Sequence, residues 1–261
     1  MTGNQSIILC NIFAHIFKIK ENHMRRKILC VSFLSLVLSV SFAQNNQATA
    51  PDQSGGGSTE VTMGELRLTP MRLPALQDVG GSPFLHSEYK TGTVQFNGDR
   101  IVTNVPVKFN IFSNAIMVQR DGDELKLESF DLVSYDEPGN DGAVKHYTFK
   151  QGYPEVDNRP SSAVYQVLSF GPKLHLLKYI SQKVEDASTL GDYSRREIVT
   201  TQQLYLYIPG GEIKKIKAGK QAIVDALPSM SAKTDEIIKS GNLNTKSESD
   251  LAALVDALNK Q

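Results

Sequence analysis

The chain has 261 residues, 28 Lys plus Arg against 28 Asp plus Glu, two cysteines and no tryptophan. A formal net charge of zero leaves no basic surplus for a polyanion, so nucleic-acid binding lacks electrostatic support. The absence of Trp argues against a carbohydrate-binding module.

The first informative stretch runs from Met24 to Gln44. Met24-Arg25-Arg26-Lys27 carries positive charge, Ile28 to Val40 is an apolar run, and Ser41-Phe42-Ala43 supplies small residues before Gln44. This order is that of a bacterial secretory signal, with cleavage between Ala43 and Gln44. A membrane-spanning helix needs about 20 apolar residues, and Ser32, Ser35, Ser39 and Ser41 interrupt this shorter run. Cys30 lies near the start of the run, not after it, which argues against lipidation. Residues 1–23 read as a mis-called leader, with translation starting at Met24. No second long apolar run follows, so no transmembrane segment is expected in the mature chain.

Cleavage changes the chemistry. Five of the 28 basic and one of the 28 acidic residues lie in 1–43, which leaves 23 and 27, a net charge of −4. Cys10 and Cys30 are both removed, so the mature protein has no disulfide, thiol nucleophile or thiolate metal ligand. Its stability rests on a packed core, which a domain of about 200 residues can build. Residues 44–62 are polar, rich in Gln, Gly and Ser, and read as a flexible linker that cannot repay the entropy of ordering. Residues 63–217 read as a β domain and 218–261 as helices packed on its sheet.

Between about 91 and 217 the dominant period is two. Val105, Val107, Phe109 and Ile111 alternate with polar residues, as do Leu125 and Leu127, Tyr147 and Phe149, and Leu204, Leu206 and Ile208. Such alternation predicts strands with one buried face. Asn97-Gly98, Asp121-Gly122, Asp141-Gly142, Gly171-Pro172 and Gly210-Gly211 punctuate them, and Asn-Gly and Asp-Gly suit tight hairpin turns. The expected fold is mainly β: an antiparallel meander forming a twisted or curved sheet.

The period changes after Ala218. Ile223, Val224 and Leu227 share one helix face, stopped by Pro228. A second helix is expected over 231–240, with Ile237 and Ile238 inward and Gly241 as its stop. Ser247 and Asp250 resemble a capping box, ahead of Leu251, Leu254, Val255 and Leu258 at helical spacing.

Chemistry-bearing patterns are sparse. His86, His146 and His175 lie far apart in sequence; His146 and His175 fall on the polar phase of their strands and read as exposed. No Gly-x-Ser-x-Gly elbow is present, and the acidic turns at 121–124 and 136–142 lack calcium-loop spacing. No catalytic, metal or cofactor residues are assigned. Tyr205 and Tyr207 share a strand face: open, it would suit a partner or ligand; covered by the helical tail, it would be core.

Gly81-Ser82-Pro83-Phe84-Leu85, then Gly92-Thr93-Val94, Asn97-Gly98 and Val105 to Phe112, resemble the opening of uncharacterised exported β-rich proteins common in Bacteroidota. Tyr165 to Leu168, Lys173 to Lys178 and the tail around Asp250-Leu251 are similar too. The resemblance implies export and a β-rich fold with a helical tail; it carries no established activity and no functional residue. The expectation is therefore an exported, non-enzymatic binding or envelope-associated module, in the periplasm, at the outer membrane or in the medium, with an envelope protein or ligand as partner. The alternatives are a hydrolase, favoured by His146 or His175 buried beside an acid, and a lipocalin-like carrier, if the sheet closes around a cavity.

Overall fold

The computed structural model describes residues 58–72, 76, 78–139, 142–186 and 196–261. The leader 1–23, the signal segment 24–43, the Ala43–Gln44 junction, residues 44–57 of the linker and Asp141 lie outside the described residues.

Among the described residues thirteen strands form one open, mixed sheet that is mostly antiparallel. In chain order they are β1 (Thr59–Glu60), β2 (Leu68–Pro70), β3 (Val79–Gly80), β4 (Lys90–Phe96), β5 (Arg100–Asn110), β6 (Ala115–Arg120) and β7 (Asp123–Leu127), followed by β8 (Leu132–Pro138), β9 (Val144–Lys150), β10 (Tyr165–Phe170), β11 (His175–Asp186), β12 (Arg196–Tyr207) and β13 (Ile213–Ile216). Two antiparallel meanders, β4–β7 and β8–β13, meet where β8 pairs with β4. Hairpin turns set the runs: Asn97, Gly98, Asp121 and Gly122 all take positive φ, as tight turns require.

The expected antiparallel meander forms in two runs joined at β4 and β8. After β7 the chain crosses back over β4 because Phe130 is buried in the core and Asp131 is tied to the β4–β5 turn. Its N–H donates to Gln95 O at 2.8 Å, and its carboxylate accepts Gly98 N–H at 2.7 Å. Gly92 in β4 sits so close to Ser134 O and Val107 that a Cβ would clash at 2.7 Å with both. The linker also ends earlier than residue 62. Thr59–Glu60 pair in parallel with Arg100–Ile101, and Thr103 Oγ1 donates to Glu60 Oε1 at 2.6 Å.

Residues 79–85 strap across the curved sheet. β3 pairs in parallel with β12, Ser82 O accepts Gln182 Nε2 at 3.0 Å, and Phe84 bridges to Asn110. The turn after β5 is held to the entry of β10 by Asn114, whose amide bonds Val164 O at 3.0 Å and Val164 N at 2.8 Å.

Among the described residues three α-helices follow the sheet: α1 (Lys220–Ala226), α2 (Ser231–Gly241) and α3 (Glu248–Asn259). Two local details differ from the sequence reading. Asn242, not Gly241, takes the left-handed conformation (φ 49°) that ends α2, a conformation Asn tolerates. The capping box does not close, because Ser247 Oγ pairs with Ser249 Oγ while the Asp250 carboxylate accepts Asn244 N–H at 2.9 Å.

Leu251, Leu254, Val255 and Leu258 of α3 are all buried, in one cluster with Leu174, Leu176, Leu206, Ile216 and Ile223. Polar contacts seat the helix: Lys178 Nζ on Glu248 at 2.8 Å, Ser169 Oγ on Asp256 at 2.5 Å, and Asn259 Oδ1 accepting Leu174 N–H at 2.8 Å. A second cluster, built on Val94, Val107, Phe109, Val133 and Phe149, fills the curve of β4–β9.

Leu254→Ala is expected to lower unfolding free energy by about 2–5 kcal/mol, measured by urea denaturation. A loss below about 1 kcal/mol would mean that α3 is not seated on the sheet.

Candidate functional site

The three histidines occupy different settings. His146 Nδ1 lies 2.6 Å from Asp136 Oδ1, its cross-strand neighbour, yet the two side chains are 62% and 64% exposed. His86 packs edge-on against Tyr135 and Tyr147, and burial lowers its pKa. His175 corrects the expectation of an exposed strand histidine: it is buried, with Nδ1 3.0 Å from Tyr153 OH and Tyr207 against its ring. Burial, then the charge of Lys150, lowers its pKa to about 4. Among the described residues no three His, Cys, Asp or Glu side chains group as metal ligands.

The tyrosine face is covered, but not by the helical tail. Along β11 and β12 neighbouring side chains point to opposite sides, and both sides are buried. Leu176 and Leu206 face the helices, whereas Leu177 and Tyr205 face a cluster with Tyr153, Ala163, Tyr165 and Val167. The cover on the Tyr205 side is the segment between β9 and β10, which supplies Tyr153, Asp157, Arg159 and Ala163. Tyr205 is fully buried and Tyr207 half-buried, so Tyr205 is core and offers no open surface.

This cover forms a polar-aromatic cluster. Asp157 and Asn158 both take positive φ (50° and 59°), and Val156 bridges Arg159 across them. The turn places the Arg159 guanidinium 4.1 Å from the Tyr179 ring centroid and 5.3 Å from that of Tyr205. Arg159 also donates to Tyr205 OH, which donates to Asp157 Oδ2 at 2.7 Å. The Tyr205 bond, then Lys215 and Arg159, hold the Asp157 carboxyl below its usual pKa. Burial pushes Tyr165 up to about 12, and these phenols stay protonated at neutral pH. The cluster therefore holds the paired charges of Arg159 and Asp157 in place. Sequence reasoning missed Tyr153, Asp157 and Arg159. The one available signal was Asp157-Asn158, two residues that tolerate a left-handed turn.

Two shallow clefts flank α3. One, of about 410 Å³, lies between β9–β10 and the helix start and is lined by His146, Leu168, Ser247, Ser249 and Ala252. The other, of about 350 Å³, lies where β13 ends and is lined by Gln202, Gln203, Lys217, Lys246 and Glu248.

His175 predicts a pH dependence. The unfolded chain takes up its proton near pH 6.5, the folded chain only near pH 4. The stability due to the neutral imidazole is complete above pH 6.5 and is lost as pH falls towards 4, up to about 3 kcal/mol. Urea denaturation from pH 7 to 4 is expected to show this slope in the wild type and a flatter one in His175→Gln. Parallel slopes would rule out the buried neutral imidazole as the cause.

Compared with models of protein families, with curated proteins and with solved structures, the chain matches none.

Proposed function

We propose that this is an exported, non-enzymatic protein that acts by binding, as a module of the periplasm, the envelope or the medium. The export half rests on Met24–Gln44 and on the resemblance to exported β-rich proteins of Bacteroidota. The binding half rests on one observation, the outer half of the β11–β12 hairpin. Beyond Ile180 this arm leaves the helical and loop covers, and Lys183, Glu185, Asp186, Arg196, Thr200, Thr201 and Gln202 are exposed. The arm is held by full twelve-residue pairing, by a Ser181–Thr201 hydroxyl bond of 2.9 Å and by the 79–85 strap. A polar arm already ordered by strand pairing presents a surface without needing to order it on binding.

A hydrolase is the second reading, and one cleft favours it. His146, oriented by Asp136 at its Nδ1, lines the cleft that also holds Ser247 and Ser249 at the start of α3. Among the described residues no hydrogen bond joins His146 to either serine, and the His146–Asp136 pair is exposed to water. A lipocalin-like carrier needs a closed sheet, and this sheet is open.

Cell fractionation with mass spectrometry of the N-terminus is expected to find the chain outside the cytoplasm, beginning at Gln44 or its pyroglutamate. Recovery from the cytoplasm with residues 24–43 intact would overturn export. A photo-crosslinker at Lys183 is expected to capture a second envelope component; capture of none would overturn the binding role. Fluorophosphonate labelling of Ser247 or Ser249, lost in His146→Ala, would establish the hydrolase instead.

A further inference from the structure

β12 is paired along its whole length with β11, but only at its two ends on the other side. β3 covers Arg196–Glu197 and β13 covers Leu204–Tyr207. Between them, no described strand pairs with residues 198–203. The backbone direction there follows from the ladder. Ile208 N–H donates towards the β13 side, to Glu212 O at 3.1 Å, and antiparallel bonding alternates with a period of two. Leu206 and Leu204 therefore bond to β13, and the N–H and C=O of Gln202 and Thr200 point the same way with no described partner. Gly81 of the strap lies against Ile198, a Cβ there falling 3.7 Å from Ile198 N, so the open stretch begins just after it.

We infer that this stretch, 199–203, is a docking slot for a short, extended, acidic peptide segment of a partner protein, which adds as an extra strand between β3 and β13. Strand addition to a free edge draws affinity from main-chain bonds and specificity from side-chain pockets. The edge sequence Val199-Thr200-Thr201-Gln202-Gln203 is β-branched and polar, favourable for a strand and without its own charge. The ends of the slot limit the occupant. About five residues fit at about 3.3 Å each, and a long strand would collide with β3 or β13. That excludes a second copy of β12 itself, which continues for twelve residues.

Charge sets the chemistry of the occupant. The slot runs into the cleft at the end of β13, where Gln203 Nε2 donates to Ile216 O at 2.8 Å and closes the ladder. Lys217 and Lys246 line that cleft, both exposed and neither ion-paired among the described residues. The one acid lining the cleft, Glu248, is already engaged by Lys178 at 2.8 Å. The two free ammonium groups are placed to receive a carboxylate side chain of an added strand.

The inference rests on the binding reading above, and crosslinking at Lys183 tests that reading without any peptide, so the two can fail separately. Fluorescence anisotropy with the purified chain would use a labelled, capped hexapeptide, Thr-Glu-Val-Glu-Val-Glu, and its counterpart with each Glu replaced by Lys. Saturable binding of the acidic peptide is expected, at least tenfold tighter than the basic one. Thr200→Pro removes one outward N–H and spares the β11 ladder, so it is expected to weaken binding at least tenfold with an unchanged melt. Lys217→Glu with Lys246→Glu, at exposed positions, is expected to remove the preference for acid even if the proline variant fails to fold. Equal affinity for both peptides, no saturable binding, or unchanged binding by the folded proline variant would each overturn the proposal. So would binding that appears only after residues 44–57 are deleted, which would make the chain's own segment the occupant.

Discussion

The rest of the structure depends on the double burial of β10–β12. Most antiparallel sheets keep one wet face. Here Leu176 and Leu206 lie under the helices while their immediate neighbours Leu177 and Tyr205 lie under the segment between β9 and β10. Three layers meet at this point, and a shift of one residue in register would exchange the two sets of side chains. The Leu set and the Tyr set differ in size and polarity, so only one register satisfies both covers.

Each cover is fastened by polar groups suited to its own face. On the helical side Asn259 satisfies the backbone at Lys173 and Leu174, and Lys178, itself buried, is neutralised by Glu248. On the other side Arg159 enters the aromatic layer only because Asp157 and two tyrosine rings offset its charge. The buried His175 is compatible with this layer because it is neutral and pairs with Tyr153. Beyond these covers the sheet curves and the 79–85 strap ties its two halves. The outer hairpin is left polar, with a stretch of edge and two lysines that are unpaired among the described residues, the arrangement from which the binding proposals arise.

Much of the fold was legible in the residues. Alternation around Val105–Ile111 and Leu204–Ile208 marked strands because burial of one face imposes a period of two, and the positive-φ turns marked their ends. The α3 face was legible for the same reason at a period of 3.6. The candidate site was much less so. Tyr205 and Tyr207 were singled out, but whether they faced water depended on a segment 40 to 50 residues away in sequence, and polar alternation made the buried His175 look exposed. Where both faces are covered, alternation between apolar and polar types no longer reports burial.

Sequence alone determined the class of the chain: a mainly β body and a helical tail with one apolar face. These follow from local periodicity and composition, which act over a few residues. Tertiary structure decided the return of β8 to β4, the two different covers, the strap, and the open stretch between β3 and β13. Each depends on contacts between residues far apart in the chain, such as Phe130 with the core or Val79 with Arg196, whose energies have no local signature.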